Sequence, residues 1–189
     1  MTEPQSELQP GDAVLVMDVQ NDFCPGGALA IPDGDQVIAP LNKWAAAAHA
    51  SGVPVFASRD WHPANHLSFA PQGGTWPPHC VQDSPGAAFH PCLELGERAI
   101  VVTKGTRFDK DQYSAFDETG LADELKRRGV KRVWVGGLAQ DVCVKATALD
   151  AAQAGFETHV LPEATLPVTP EGGAEALDEM RKAGVTIES

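Results

Sequence analysis

Short apolar runs recur along the chain at intervals that leave room for a helix between them. Residues 13–17, 53–57, 99–102, 133–135, 158–161 and 185–187 are each too short for a helix and rich in β-branched side chains, which predicts six strands. Between them, helical patterns occupy residues 35–50, 119–128, 142–154 and 170–183, and several close at Gly52, Gly129, Gly155 or Gly184. Strands alternating with helices read as βαβ units with right-handed crossovers. The expected fold class is therefore α/β, a three-layer, six-stranded and mostly parallel sheet with helices on both faces.

One stretch breaks the alternation. Residues 59–96 are rich in proline, glycine, histidine and aromatics, lack helical periodicity, and lie between the second and third strands. A loop of this length is usually functional. The expected organisation is one domain over residues 1–189 with a metal-binding loop insertion at about 59–96, which suits 189 residues of 43% hydrophobic content.

Charge and hydropathy narrow the partners. A formal charge of −12 repels polyanions, and no lysine or arginine run offers a local exception, so nucleic acid is not expected. No segment approaches the roughly 18 uninterrupted apolar residues of a membrane helix. Residues 1–11 are polar and show neither a basic nor an apolar leader region. A soluble, cytoplasmic protein is expected. The four cysteines, Cys24, Cys80, Cys92 and Cys143, form no Cys-x-x-Cys pair and are read as free thiols.

In open parallel sheets, ligands gather beyond the C-terminal ends of the strands. The groups that follow the predicted strands are Asp18, Asp60, Lys104 and the turn carrying Cys143, a convergence that solvated surface charge does not readily produce. Cys143 follows the apolar run Val133-Trp134-Val135-Gly136-Gly137-Leu138 and opens a predicted helix. There the backbone N–H groups and the helix dipole favour thiolate. Taken alone it reads more readily as a small buried hydrophobe, and its neighbours reverse that balance. Asp18 and Lys104 would supply the proton acceptor and the electrostatic support that a thiolate nucleophile needs.

The loop holds a second constellation. Asp60 and His62 stand two positions apart, so in extended backbone they face one side, and His79 follows in Trp76-Pro77-Pro78-His79-Cys80. One carboxylate with two or three imidazoles and room for water suits zinc, iron(II) or manganese; a hydrogen-bonded polar loop is the competing reading.

These segments together resemble the nicotinamidases (pyrazinamidases) of the isochorismatase-like cysteine-hydrolase superfamily. The likeness is carried by Asp18-Val19-Gln20-Asn21-Asp22-Phe23, Asp60-Trp61-His62-Pro63 through His66, Trp76-Pro77-Pro78-His79-Cys80-Val81, Gly86-Ala87 with Phe89-His90-Pro91, Lys104-Gly105, Asp111 through Tyr113-Ser114-Ala115-Phe116, and Asp141-Val142-Cys143-Val144. The resemblance implies Cys143 as nucleophile, Asp18 as general acid/base and Lys104 as their electrostatic partner. It implies Asp60, His62 and His79 as ligands to one divalent metal ion, zinc first with iron or manganese as alternatives, and His66 as a ligand in some members. Phe23 and Trp76 would flank the substrate ring, with Tyr113 closing the pocket. The backbone N–H groups of Ala139 and Cys143 would form an oxyanion hole shaped by a cis peptide between Leu138 and Ala139. The implied reaction is hydrolysis of nicotinamide to nicotinate and ammonia in NAD salvage, and of pyrazinamide, through a cysteine thioester, with a homo-oligomer left open. Other readings are another hydrolase of the superfamily, which would not need the metal loop, and a noncatalytic metal-binding or redox module, which would leave Asp18 and Lys104 unexplained. The sequence departs from the common pattern at Gln140, where threonine often precedes Asp-x-Cys, and at Leu166, where arginine is usual.

Overall fold

The computed structural model describes residues 4–188; residues 1–3 of the polar start lie outside them. Six strands form one sheet: β1 (Asp12–Met17), β2 (Val55–Asp60), β3 (Ile100–Lys104), β4 (Arg132–Leu138), β5 (Glu157–Leu166) and β6 (Thr186–Ile187). Their order is β3-β2-β1-β4-β5-β6, and every neighbouring pair is parallel. The chain winds outward from β1 through β2 to β3, then resumes on the other side at β4. That reversal between β1 and β4 is the switch point at which a crevice opens past the strand ends.

The side-chain period of two splits the core into two layers. Val14 and Val16 of β1 and Trp134 of β4 face the helix α2 (Ile38–Ala50) and bury Leu41, Trp44 and Ala48. Ala13, Leu15 and Met17, with Val133 and Val135, face the helices α3 (Leu121–Arg127), α4 (Lys145–Gln153) and α5 (Pro170–Lys182). The short helix α1 (Pro4–Glu7) precedes β1. Both faces of β1 are buried along its whole length, so this strand fixes the site's position with little freedom to shift.

Element boundaries differ from the sequence expectation where polar or proline residues obscure the pattern. β2 and β3 run on to Asp60 and Lys104, which pair with each other in register, so these two residues end their strands rather than follow them. β5 continues past Pro162 to Leu166 because the β4–β5 register shifts between Val135 and Gly137, and a proline lacking its N–H is accommodated at such an irregularity. The helix expected at residues 35–50 begins with a 3-10 turn over Gly34–Val37. The helix expected at 142–154 is divided: a π-helical turn, Gln140–Val144, precedes α4, so Cys143 lies inside a wide turn rather than on the first α-helical turn.

The long segment at 59–96 is also more ordered than its composition suggests. Isolated bridges join His62 to Val81 and Phe69 to Trp76, folding the segment back on itself. Among the described residues, no helix is long and apolar enough to cross a membrane.

Candidate active site

The strand ends bring four groups to one point. Asp18 leaves β1 with φ 48°, a left-handed turn, and its carboxylate meets Lys104. The Lys104 ammonium lies 2.8 Å from Asp18 Oδ2, 2.7 Å from Asp60 Oδ1 and 3.6 Å from Cys143 Sγ, and it is fully buried. Side-chain atoms of Asp18, Asp60 and Cys143 all lie within 4.8 Å of one another. Ser58 Oγ donates to Asp18 Oδ1 at 2.7 Å and fixes that carboxylate. Gln112 holds the next turn: its Oε1 accepts from the Gly105 N–H at 3.1 Å and its carbonyl accepts from Lys104 Nζ at 3.3 Å.

Two glycines make the approach possible. A Cβ on Gly137, where φ is +119°, would stand 2.1 Å from the Met17 carbonyl oxygen, so only glycine lets β4 pass the end of β1 here. A Cβ on Gly105 would stand 2.5 Å from the His62 ring. Glycine at 105 therefore lets the turn after β3 pass directly against that ring. The Leu138–Ala139 peptide is cis, as the resemblance implied.

The electrostatics follow from one cation serving several anionic groups. Burial pushes Asp18 above the ordinary carboxylate range, with Asp60 adding to the rise and Lys104 opposing it. Burial also pushes the Cys143 thiol well above its usual value, against the pull of Lys104 and with Asp18 and Asp60 both raising it. The sequence expectation of a thiolate favoured by a helix N-terminus meets an opposing influence here: Cys143 is 6% exposed and faces the carboxylates of Asp18 and Asp60, both of which favour the thiol. Lys104 is held well above its usual value, burial notwithstanding, by Asp18 and Asp60. Asp60 is held well below its own, because Lys104 and His62 outweigh the burial penalty.

The second constellation also assembles. Asp60, His62 and His79, all buried, place one ligand-type atom each within 4.8 Å of the others. The fold-back does this: the His62 N–H donates to the Cys80 carbonyl at 2.9 Å, bringing the neighbouring His79 ring alongside. His62 Nδ1 faces the Gly105 carbonyl and His79 Nδ1 faces the Pro77 carbonyl, each at 2.8 Å. In both rings the carbonyl acceptor draws the proton to Nδ1 and turns Nε2 toward the cluster, where His62 Nε2 stands 3.6 Å from Asp60 Oδ2; Nε2 is the atom each ring would offer a metal ion. Burial lowers the basicity of His79, favouring its neutral form, whereas Asp60 overcomes burial to raise that of His62. Phe69, fully buried, packs against both the His62 and His79 rings at centroid distances of 5.4 and 5.5 Å, while those two rings meet edge to face at 4.9 Å; the sequence reading did not single it out.

His66 stands apart from this set. It groups with His62 and Asp111, and both its ring nitrogens are occupied, Nδ1 by Ser68 Oγ at 2.7 Å and Nε2 by the Arg107 carbonyl at 2.9 Å. The Ser68 N–H also points at Nδ1, at 3.4 Å, so Nε2 carries the proton and no lone pair remains for an ion. The ligand role that the resemblance implied for His66 would require it to give up one of these partners; as placed, the ring ties the loop to the segment that follows Lys104.

A pocket opens above Cys143. Phe23 and Trp76 line it with His79 and Asp60 at one end, and Ala139 and Cys143 form its base. Trp76 Nε1 donates to Tyr113 Oη at 3.0 Å, which brings both rings to the mouth. Leu29, Ile31, Val142 and Val168 complete the apolar wall. Leu29, Ile31 and Val168 went unnamed in the sequence reading, whereas Val142 and Asp111 lie within its recognised segments but were given no role there.

The chain is similar to known proteins over nearly its whole length. The Isochorismatase domain family matches residues 12–189. The nicotinamidase of Escherichia coli (strain K12) is 41% identical, over 94% of this chain and 94% of its own. The pyrazinamidase of Pyrococcus horikoshii in complex with zinc is 46% identical with a TM-score of 0.92, covering 95% of this chain and 99% of that one. PnC1 from L. infantum in complex with nicotinate is 38% identical with a TM-score of 0.88, covering 95% and 93%. Family match, whole-length relatives and shared fold together establish that this chain belongs to the isochorismatase family.

Proposed function

We propose that this chain is an amidohydrolase that converts nicotinamide to nicotinate and ammonia, and accepts pyrazinamide, through a thioester on Cys143. The observation that carries the reading is the juxtaposition of Lys104, Asp18 and Cys143 with Asp60, His62 and His79 in one narrow, aromatic-walled pocket. Amidases of the superfamily that lack a metal loop would need only the first three.

The residues divide the work as follows. Phe23 and Trp76 hold the flat pyridine ring by its faces, and the amide carbonyl lies over Cys143. Asp18, a stronger base than an ordinary carboxylate in its buried place, takes the thiol proton as sulfur attacks. Lys104 keeps its charge throughout and holds Asp18 and Asp60 apart. The backbone N–H groups of Ala139 and Cys143 receive the developing oxyanion. Asp18 returns the proton to the departing ammonia, leaving a thioester. It then takes a proton from the water that releases nicotinate and regenerates the thiol. Asp60, His62 and His79 fit one divalent ion, zinc first, which would supply Lewis acidity at the end of the pocket.

The test is ammonia release from nicotinamide and from pyrazinamide by the purified protein, with its metal content measured. Release from both, with close to one equivalent of zinc, is the expected result. A folded, zinc-loaded protein that releases none from either would sink the assignment.

A further inference from the structure

The end of β2 poses a problem that one side chain solves. β1 pairs with β2 only as far as Met17 and Ser58, after which Asp18 turns the chain away. In a parallel ladder a residue turns its N–H and C=O to the same neighbour, and the next residue turns both to the other side. Trp61 accordingly donates to the Lys104 carbonyl on the β3 side at 2.9 Å. Asp60 faces the side that β1 has left, so its buried N–H and C=O would be orphaned.

Gln20 fills the gap. Its Oε1 accepts from the Asp60 N–H and its Nε2 donates to the Asp60 carbonyl, each at 2.8 Å, so the primary amide acts as one more rung of the ladder. The remaining Nε2 hydrogen goes to the Ala87 carbonyl at 2.8 Å. All three polar functions of the amide that point outward are thereby used, and the side chain is fully buried. Meanwhile the Gln20 backbone N–H donates to the Asp18 carbonyl at 2.8 Å. One residue thus grips Asp18 by its main chain and Asp60 by its side chain. Asp60 is the member common to both clusters, grouped with His62 and His79 on one side and with Asp18 and Cys143 on the other.

We infer that Gln20 is a positioning residue that sets the metal-ligand cluster and the nucleophile cluster in register by fixing the backbone of Asp60, the residue they share. No other residue type does this as well. Glutamate offers no donor to two carbonyls, asparagine is a methylene short of spanning both Asp60 groups, and methionine keeps the volume but makes no rung. The inference deepens the proposed function and rests on its metal reading.

The experiment is zinc titration of metal-stripped protein against a chromophoric chelator, without substrate, for wild type, Gln20→Met and a core control, Leu125→Ala. Leu125 is a fully buried residue of α3 in the core layer between that helix and the sheet, and belongs to neither cluster. Outer-shell partners of metal ligands change affinity by roughly 10- to 100-fold. Gln20→Met is expected to bind zinc at least tenfold more weakly, and at saturating zinc to show a reduced kcat. Leu125→Ala is expected to lose stability but not zinc affinity. If Gln20→Met does not fold, Gln20→Asn, which keeps an amide, carries the same expectation. A folded Gln20 variant within twofold of wild-type zinc affinity overturns the inference, as does an equal loss in Leu125→Ala. Wild-type protein that takes up no zinc overturns the metal reading itself, a result distinct from either, and the inference falls with it.

Discussion

The two ends of β1 each carry a buried aspartate beside a cation, and they are built in opposite senses. At the start, Asp12 meets Arg132 in two parallel bonds, Nε to Oδ1 at 2.9 Å and Nη2 to Oδ2 at 2.7 Å. It also accepts from the Gln9 N–H at 2.9 Å and from Trp134 Nε1 at 3.2 Å. One charge answers one charge and the lone pairs are filled. Burial would raise its carboxyl, but Arg132 and these donors hold it below the ordinary range. Just past the other end, Asp18 shares a single ammonium with Asp60 and faces the Cys143 thiol, and its carboxyl is raised. The difference shows what a strand end is used for. A fully matched pair stabilises the fold, and an under-neutralised one keeps a proton acceptor poised at the expense of stability.

The largest test of this contrast removes the thiol. Cys143→Ala is expected to lower kcat/KM by at least about 10³-fold, as loss of a nucleophile does, while zinc content and thermal midpoint stay close to wild type. Substantial remaining turnover would point to a metal-only hydrolysis. Next come the two cations. Lys104→Met strands two buried carboxylates and should cost about 3–5 kcal/mol in urea unfolding as well as turnover. Arg132→Met strands one carboxylate that keeps other donors, so a smaller loss is expected, with kcat unchanged in the folded protein. Equal losses of turnover in both would dissolve the distinction.

A finer test compares the aspartates themselves. Asp12→Asn should destabilise by about 1–3 kcal/mol at neutral pH and leave kcat intact. Asp18→Asn should abolish turnover with little loss of stability, because it relieves like-charge repulsion. The pH dependence sharpens this. A carboxyl whose folded-state pKa is depressed contributes stability above its unfolded value of about 3.9, and that contribution disappears as pH falls through the folded value. The stability gap between wild type and Asp12→Asn should therefore close only below about pH 4. For Asp18, raised in the folded state, the sign reverses: protonation favours the fold, so wild type should gain on Asp18→Asn as pH falls from neutral. Denaturant midpoints across pH would read both.

Much of this contrast could be read from the chain before folding, because strand runs and their polar ends are local signals. Val133 to Val135 announces a buried strand and Lys104-Gly105 its chemically capable end. The places where the reading fell short depend on neighbours distant in sequence. Pro162 looks like a strand terminus until the β4 register shift makes room for it. The Cys143 thiol looks activated by a helix start until the carboxylates of Asp18 and Asp60 are seen beside it. His66 looks like a ligand until Ser68 and Arg107 are found on its two nitrogens. Gln20 carries no motif chemistry, so nothing local marks its amide as a rung of the sheet. Gln140 is buried with its side-chain oxygen close to Gly173, where any added Cβ would stand 2.7 Å away, so glycine at the start of α5 makes room for the longer residue. Nothing in the structure explains the leucine at 166.

The order of the strands has a consequence for how activity is acquired. Asp18 comes from the first strand, Asp60 and Lys104 from the next two, and Cys143 from beyond the fourth, so the pocket is assembled entirely from contacts between remote parts of the chain. Parallel pairing of that kind forms late and slowly, since each contact closes a long loop before it is rewarded. A partly folded chain can hold helices, local turns and even the fold-back that carries His62 and His79, yet not bring Cys143 to Asp18 and Lys104. Turnover is therefore a strict gauge of complete folding, and a nascent chain exposes no reactive half-built centre while it emerges.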